Sequence, residues 1–292
     1  MEFIYGELEQ APEGFCPPEM WPEYAYIAQP VEVCAREKVG SNPRGIRWSL
    51  WPFTFEDYVS DEEPDMRASR QGRLARSRAI TWERIRPAEA PRGWLQLSSK
   101  PSRVDGVISL HKHADYTKGW HKSARRDLRL FKKGLEAGHY TIEPLSWEKF
   151  EDAYKKSLVA RRIDLTMLDD VRYRLAHKEF RDNIEFWGVR DAVTGELCAG
   201  TGIIYSLTYK SSTHMAPFIL ERGRSIYAAT GLVDYWLGRS RERGCRYALT
   251  LNFWFKGKPK KWKGFSEFKS HFGFSFVAYP PTLYKFVWGK IF

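Results

Sequence analysis

The residues most able to do chemistry are cations interleaved with aromatic rings near the end of the 292-residue chain. The run FKGKPKKWKG, Phe255–Gly264, carries Lys256, Lys258, Lys260, Lys261 and Lys263 together with Trp262. Such lysines neutralise phosphates, and Phe255 and Trp262 offer flat faces on which unpaired bases stack. The pattern suits the single-stranded end of an RNA; its plain alternative is a solvated linker. The next stretch, GFSEFKSHFGFSFVAYP, is Gly264–Pro280. Phe265, Phe268 and Phe272 fall at i, i+3 and i+7. A short helix would therefore bury all three on one face and leave Lys269 at its rim. The apolar run Phe274–Tyr279 reads as a strand.

A second basic element is WHKSARRDLRLFKKGLEAG, Trp120–Gly138. Trp120, Ala124, Leu128, Phe131 and Leu135 step by four, four, three and four, which is one face of a helix. Lys122, Arg125, Arg126, Arg129, Lys132 and Lys133 fill much of the rest, offset by Asp127 and Glu136 alone. A one-sign face repels itself and makes better sense with phosphates nearby, so Arg125 and Arg126 are assigned to substrate phosphates. Other candidates are weaker. His111 and His113 resemble a metal pair, but no further ligands occur at zinc spacing, and no metal site is expected. Asp105 and Asp115 lie between two halves of the chain, where they could line a cleft but read first as ordinary loop acids. His271 follows Lys269 by two, which on a helix points it elsewhere. Asn252 and Tyr205 lie near strand ends, where a cleft role and a core role are equally open.

These elements need a scaffold, and composition bounds it. Length allows one large domain or two smaller ones. The net charge of +11 favours a polyanionic partner. Aromatic content of 15%, with 12 Trp, excludes a disordered chain. Cys16, Cys34, Cys198 and Cys245 show no CxxC spacing and read as thiols in a reducing compartment. No signal peptide and no membrane-length apolar run is apparent, so a cytoplasmic location is expected, peripheral to a membrane at most. In the first third, residues 24–33, 45–53, 79–85 and 93–99 read as strands, with a charged loop at 57–78. Beyond Gly138 the predicted order is β-α-α-β-β-β-α-β-α-β-β. Its strands are 139–146, 183–191, 197–207, 209–220, 245–253, 274–279 and 283–290; its helices are 147–162, 166–178, 225–244 and the short one.

That order resembles the GNAT acyltransferase fold over residues 138–292. It resembles more narrowly the Fem family, the aminoacyl-tRNA-dependent transferases that build peptidoglycan cross-bridges. Three pieces carry the likeness: HKSARRDLRLFKKGLEAG, the helix–strand unit ending in RERGCRYALTLNF, and GFSEFKSHFGF, similar to the family's FK-x-x-FG signature. The resemblance implies an α/β (α+β) fold, a GNAT-like mixed sheet flanked by helices in the C-terminal half. A smaller, trimmed GNAT-like half would precede it. The implied boundaries are 1–118, a basic connecting helix at 119–138, and a transferase domain at 139–292.

Chemistry follows from the same likeness. An amine attacks the ester of an aminoacyl-tRNA, and the amino acid passes to a stem-peptide amine of a nucleotide- or lipid-linked peptidoglycan precursor. Lys269 would stabilise the oxyanion, with Phe268 fixing its backbone, and Arg162 would join Arg125 and Arg126 at phosphate. No cofactor is implied beyond the tRNA co-substrate. The alternatives are a CoA thioester as donor and a degenerate module that only binds RNA. The glycine-rich pyrophosphate loop of ordinary GNAT enzymes is replaced here by ERGRSIYAATG, 221–231, which disfavours CoA.

Overall fold

The computed structural model describes residues 3–12, 15–21, 30–31, 34–38, 44–50, 53–64, 77–112, 115–157, 166–176 and 181–288. In chain order its strands are β1 (Leu8–Glu9), β2 (Pro30–Val31), β3 (Cys34–Lys38), β4 (Arg44–Leu50), β5 (Phe53–Val59), β6 (Ser77–Glu83), β7 (Leu95–Gln96) and β8 (Val104–Ser109). Helix α1 (Lys122–Glu136) follows, then β9 (Tyr140–Pro144), α2 (Trp147–Lys156) and α3 (Thr166–Ala176). An antiparallel run comes next: β10 (Ile184–Asp191), β11 (Leu197–Ser206) and β12 (Ser211–Ile219). The chain continues through α4 (Glu221–Ser225), α5 (Ala228–Glu242), β13 (Tyr247–Thr250), α6 (Lys263–Ser270), β14 (Ser275–Ala278) and β15 (Leu283–Val287).

The chain packs as two compact units. One holds residues 8–104 and 277–292; the other holds 2–7 and 105–276. These divisions differ from the sequence boundaries at 118 and 138, and long-range pairing explains why. Within the first unit, β15 pairs antiparallel with β6 and β7, matching Leu283 to Trp82 and to Gln96. Its sheet runs β2-β3-β4-β5-β6-β15-β7, with β5 and β6 parallel. Tyr58, Ile80, Trp82, Trp94 and Leu283 form its core.

The second unit carries the strand order β14-β8-β13-β12-β11-β10-β9. The strand 104–109 is drawn in because Gly106–Ser109 pair with Thr250–Tyr247. Helix α1 forms over the span its periodicity predicts, and Trp120, Ala124, Leu128 and Phe131 are buried. Phe131 lies where a side chain at Gly231 of α5 would stand, so the glycine lets the two helices close up. Gly138 and Gly244, at φ +72° and +75°, follow the ends of α1 and α5 in the left-handed conformation that stops helices. Opposite them, Glu185 accepts from Arg239 at 3.0 Å, Arg243 at 2.6 Å, Trp187 Nε1 at 2.9 Å and the Tyr205 hydroxyl at 3.0 Å. Tyr205 therefore takes the core role rather than the cleft role.

Between the central strands the pairing is brief. Parallel β12 and β13 match at Ser211↔Tyr247, Ser212↔Ala248 and Thr213↔Leu249 only. Beyond that point β12 continues along β11 to Ile219, while β13 ends at Thr250. Two residues of β12 oppose one of β11 between Met215 and Phe218, and Ala216 there has φ +45°. Such a bulge bends its strand and sharpens the divergence. The sheet has an opening where the pairing of these two strands stops.

Candidate active site

Helix α6 docks at that opening, and not with the face its phenylalanines predict. Phe265 and Phe268 are 38% and 36% exposed; Phe272 alone of the three is buried. The inward face carries Ser266 and Lys269, three residues apart. Ser266 Oγ accepts from Trp254 N at 2.7 Å. Lys269 Nζ donates to Leu251 O at 2.5 Å and Asn252 O at 3.2 Å. The physical reason lies in the backbone. Once β13 ends, residues 251–254 have no ladder partner, and backbone polar groups left unpaired away from water cost about 1–3 kcal/mol each. The polar side of α6 satisfies them. Phe268 thus presents its ring outward, edge-on to Phe272 at 4.9 Å, rather than anchoring the helix.

Asn252 adopts φ +60°, a left-handed conformation that asparagine tolerates better than most residues. Its N–H donates to Asp105 Oδ1 at 2.8 Å. The resulting turn brings the carbonyls of 251 and 252 onto one ammonium. Below that ammonium lies the Phe253 ring, with Nζ 4.6 Å from its centroid. Gly106 makes room, because a Cβ there would meet the Phe253 ring at 2.7 Å. Burial lowers the Lys269 pKa to about 8, while the nearby Asp105 carboxylate works to raise it. His214 of β12 stacks on Trp236 at 4.5 Å, with Nε2 3.3 Å from Thr250 Oγ1. Burial, and after it the charge of Lys269, pushes the imidazole down to about 3, so it is neutral at neutral pH. Asp105, read from the sequence as a loop acid, is instead fully buried within β8. No local pattern marks it or His214: both reach the site through strand pairings with partners far along the chain.

The remaining candidates separate. Arg125 lines an open groove of about 390 Å³ with Thr117, Leu128, Arg129, Lys132, Lys133 and Glu136. Arg126 does not join it, being paired with Asp127 at 2.8 Å. In the lysine run, Lys256, Lys260, Lys261 and Lys263 are exposed and Trp262 is half-buried. Phe255, expected as a stacking platform, is buried at 2% exposure. Lys258 instead lies over the Phe255 ring at 5.3 Å, and Lys263 over Trp254 at 5.3 Å. Arg162 and His113 lie outside the described residues. His111 Nδ1 sits 3.1 Å from Arg246 O, and no metal-holding cluster occurs among the described residues. Asp115 caps the turn 116–119 through Thr117 N at 2.9 Å. Cys198 and Cys245 are buried, and burial pushes the Cys245 thiol up to about 12. That leaves no reactive thiolate there.

The far end of the signature segment is clamped to the start of α1. His121 N donates to His271 O at 2.8 Å, the two imidazoles stack at 5.0 Å, and Trp120 meets Phe272 edge-on at 4.8 Å. Gly273 has φ +68°, and a Cβ there would lie 2.8 Å from the Gly119 backbone. Both conformation and space demand glycine. Gly273→Ala is expected to lower stability by about 1–3 kcal/mol, read as a lower urea midpoint in equilibrium unfolding. An unchanged midpoint would show that the clamp yields without strain.

No family model matches the chain, and no curated protein does either. Solved structures do. The crystal structure of FemX aligns with a TM-score of 0.63 at 10% identity, over 92% of this chain and 94% of that one. A conserved protein of unknown function from Bacteroides thetaiotaomicron aligns at 0.51 and 10% identity, over 86% of each chain. The structure of L-PGS from Bacillus licheniformis aligns at 0.48 and 11%, over 87% and 84%. The chain therefore shares the fold of FemX: mixed sheets flanked by helices.

Proposed function

We propose that the protein is an acyltransferase of the Fem kind. It would move an amino acid from aminoacyl-tRNA to an amine on the stem peptide of a peptidoglycan precursor. The observation that carries this reading is the hold on Lys269. An ammonium has three N–H donors. Two go to the carbonyls of Leu251 and Asn252, and the third has no partner among the described residues. A cation so fixed at the strand opening is a preorganised donor for an oxyanion.

In the reaction, the acceptor nitrogen attacks the ester carbonyl, the C–N bond forms, and the carbonyl electrons move onto oxygen beside Lys269. Collapse breaks the C–O bond to the terminal ribose. One proton passes, in net, from the attacking amine to the departing ribose oxygen. His214, held neutral with a low pKa, is a poor base for that transfer, and the substrates' own groups suffice. Arg125 and its neighbours along α1 would take phosphates of the substrates, as would Lys256, Lys258, Lys260, Lys261 and Lys263, with Trp262 beside them.

Support for tRNA over CoA comes from residues 221–231. Glu221–Ser225 is wound into α4, and Gly223 is pressed so closely on Cys198 that a Cβ would not fit. Within Glu221–Ser225 the backbone is wound into helix instead of splayed into an open cradle for a pyrophosphate. Among the described residues no helix is long and apolar enough to cross a membrane. We place the reaction in the cytoplasm, where charged tRNA is found.

The deciding assay offers charged tRNA and acetyl-CoA in parallel, with a nucleotide-linked stem-peptide precursor as acceptor. Transfer from tRNA alone is expected. Transfer from acetyl-CoA alone would overturn the donor, and transfer from neither would overturn the acyltransferase reading. Binding of charged tRNA is also expected to be steeply salt-dependent. Each phosphate neutralised contributes roughly −0.7 to −0.9 to the slope of log K against log salt. Replacing Lys258, Lys260 and Lys261 together by Ala should reduce that slope by roughly two units. A variant with the parental affinity and slope would mark the loop as a solvated linker.

A further inference from the structure

We infer that Asp105 is the positioning residue of this site: its carboxylate pins the left-handed turn at Asn252, and the turn aims two carbonyls at Lys269 Nζ. Three elements meet in that chain of contacts. Asp105 comes from β8, Asn252 from the segment after β13, and Lys269 from α6.

The position is an unlikely one for a charge unless the charge has work there. Asp105 is 0% exposed, and residues 104–108 around it are all buried. An apolar residue would suit such a strand better, since burying a carboxylate is costly without compensation. One compensation is the charge-assisted bond from Asn252 N, at 2.8 Å. That bond falls on a residue whose backbone is itself strained for an L-amino acid, at φ +60°. It therefore adds to the pull of Lys269 itself in holding the carbonyls of 251 and 252 on one side. Strand neighbours tighten the arrangement. Gly106 pairs with Thr250 and admits the Phe253 ring, over which Nζ sits.

The same carboxylate also opposes the effect of burial on the lysine. The titratable groups that act on Lys269 from the elements around it are Asp105 in β8 and His214 in β12; residues 251–254 contribute none. His214 is uncharged at neutral pH, so Asp105 alone opposes the effect of burial and keeps the ammonium populated. Only the consequence for catalysis rests on the acyl-transfer reading; the geometric inference stands apart from it.

The test compares Asp105→Asn with Asp105→Ala in the full chain. Asparagine keeps an oxygen for Asn252 N and loses the charge; alanine loses both. The first readout needs no substrate: the ε-carbon resonance of Lys269, titrated by NMR and assigned from its absence in Lys269→Arg. In the parent it should titrate near 8. In Asp105→Asn it should titrate lower by about half a pH unit or more. The Asn252 amide should keep its protection from hydrogen exchange in Asp105→Asn and lose it in Asp105→Ala. In turnover, Asp105→Asn should lose roughly twofold or more in kcat near pH 8 and regain most of it at lower pH, with KM little changed. Asp105→Ala should lose at least as much at every pH. An unmoved Lys269 titration in Asp105→Asn, or unchanged Asn252 protection in Asp105→Ala, overturns the inference. If neither parent nor variant transfers an acyl group, the functional proposal fails while the titration still decides this one.

Discussion

Lys269→Ala is expected to lower kcat by roughly 100-fold or more while the protein remains folded. Removing one preorganised donor from an oxyanion site typically costs 10²–10³ in rate, about 2.7–4 kcal/mol of transition-state stabilisation. KM should change little, because the interaction develops with the negative charge and is weak in the ground state. The fold should survive, since two opposing terms come out together. The variant leaves the carbonyls of Leu251 and Asn252 without their ammonium, but it also removes a cation that burial disfavours. The pH profile supplies a second signature. With a pKa near 8, the ammonium is populated below that value and disappears as pH rises through it. The parent should therefore lose activity above about pH 8, and the residual activity of Lys269→Ala should lack that descending limb. Turnover within a factor of two of the parent, in a variant with parental circular dichroism, would remove Lys269 from the mechanism.

Glu185→Ala is expected to be the most destabilising change in the second unit outside its apolar core. Glu185 is 13% exposed at its side chain and draws two guanidiniums, an indole N–H and a tyrosine hydroxyl onto two oxygens. Truncating the hub of such a network leaves Arg243 without its carboxylate and Arg239 with only the exposed Glu242, at 3.1 Å. A loss on the order of 3 kcal/mol follows, and at this chain length that lowers Tm by roughly 6–12 °C. Acid should reproduce part of it. Burial favours the neutral acid, but the donors from Arg239, Trp187 and Tyr205 and the charge of Arg243 prevail and hold the carboxyl at about 2, against an ordinary 4.5. The folded value is the lower one, so this stabilisation is complete above about 4.5 and drains away as pH falls toward 2. Urea midpoints measured across that range should converge for parent and variant. A gap that persists at pH 2 would mean that packing, not charge, is what the substitution removes.

Several of these features could be read from the sequence, and the reasons differ. Helix α1 was legible because Trp120, Ala124, Leu128 and Phe131 answer to one local rule, the burial of a single face. The signature helix was legible in place but not in orientation. Its phenylalanine spacing argued for one face, and the unpaired backbone after β13 selected the other. Nothing in residues 263–270 announces that need. The same holds for Phe255, whose ring lies in the core rather than facing a base. Domain limits were the least accessible. The strands 104–109 and 283–287 take their places through partners well over a hundred residues distant, which no window along the chain can reveal. Asp105 and His214 belong to the same class, since each matters through what a distant strand brings beside it.

The position of β15 has a further consequence, for synthesis rather than catalysis. The first unit's sheet has β15 between β6 and β7, and β15 leaves the ribosome only after the whole of the second unit. Until then β6 has an open edge and the Trp82–Trp94 cluster lacks Leu283. An unpaired edge beside exposed tryptophans is a template for pairing with other chains. The nascent protein must therefore carry its first unit unfinished while the second is made, and its yield should depend more on chaperone supply than its final stability suggests.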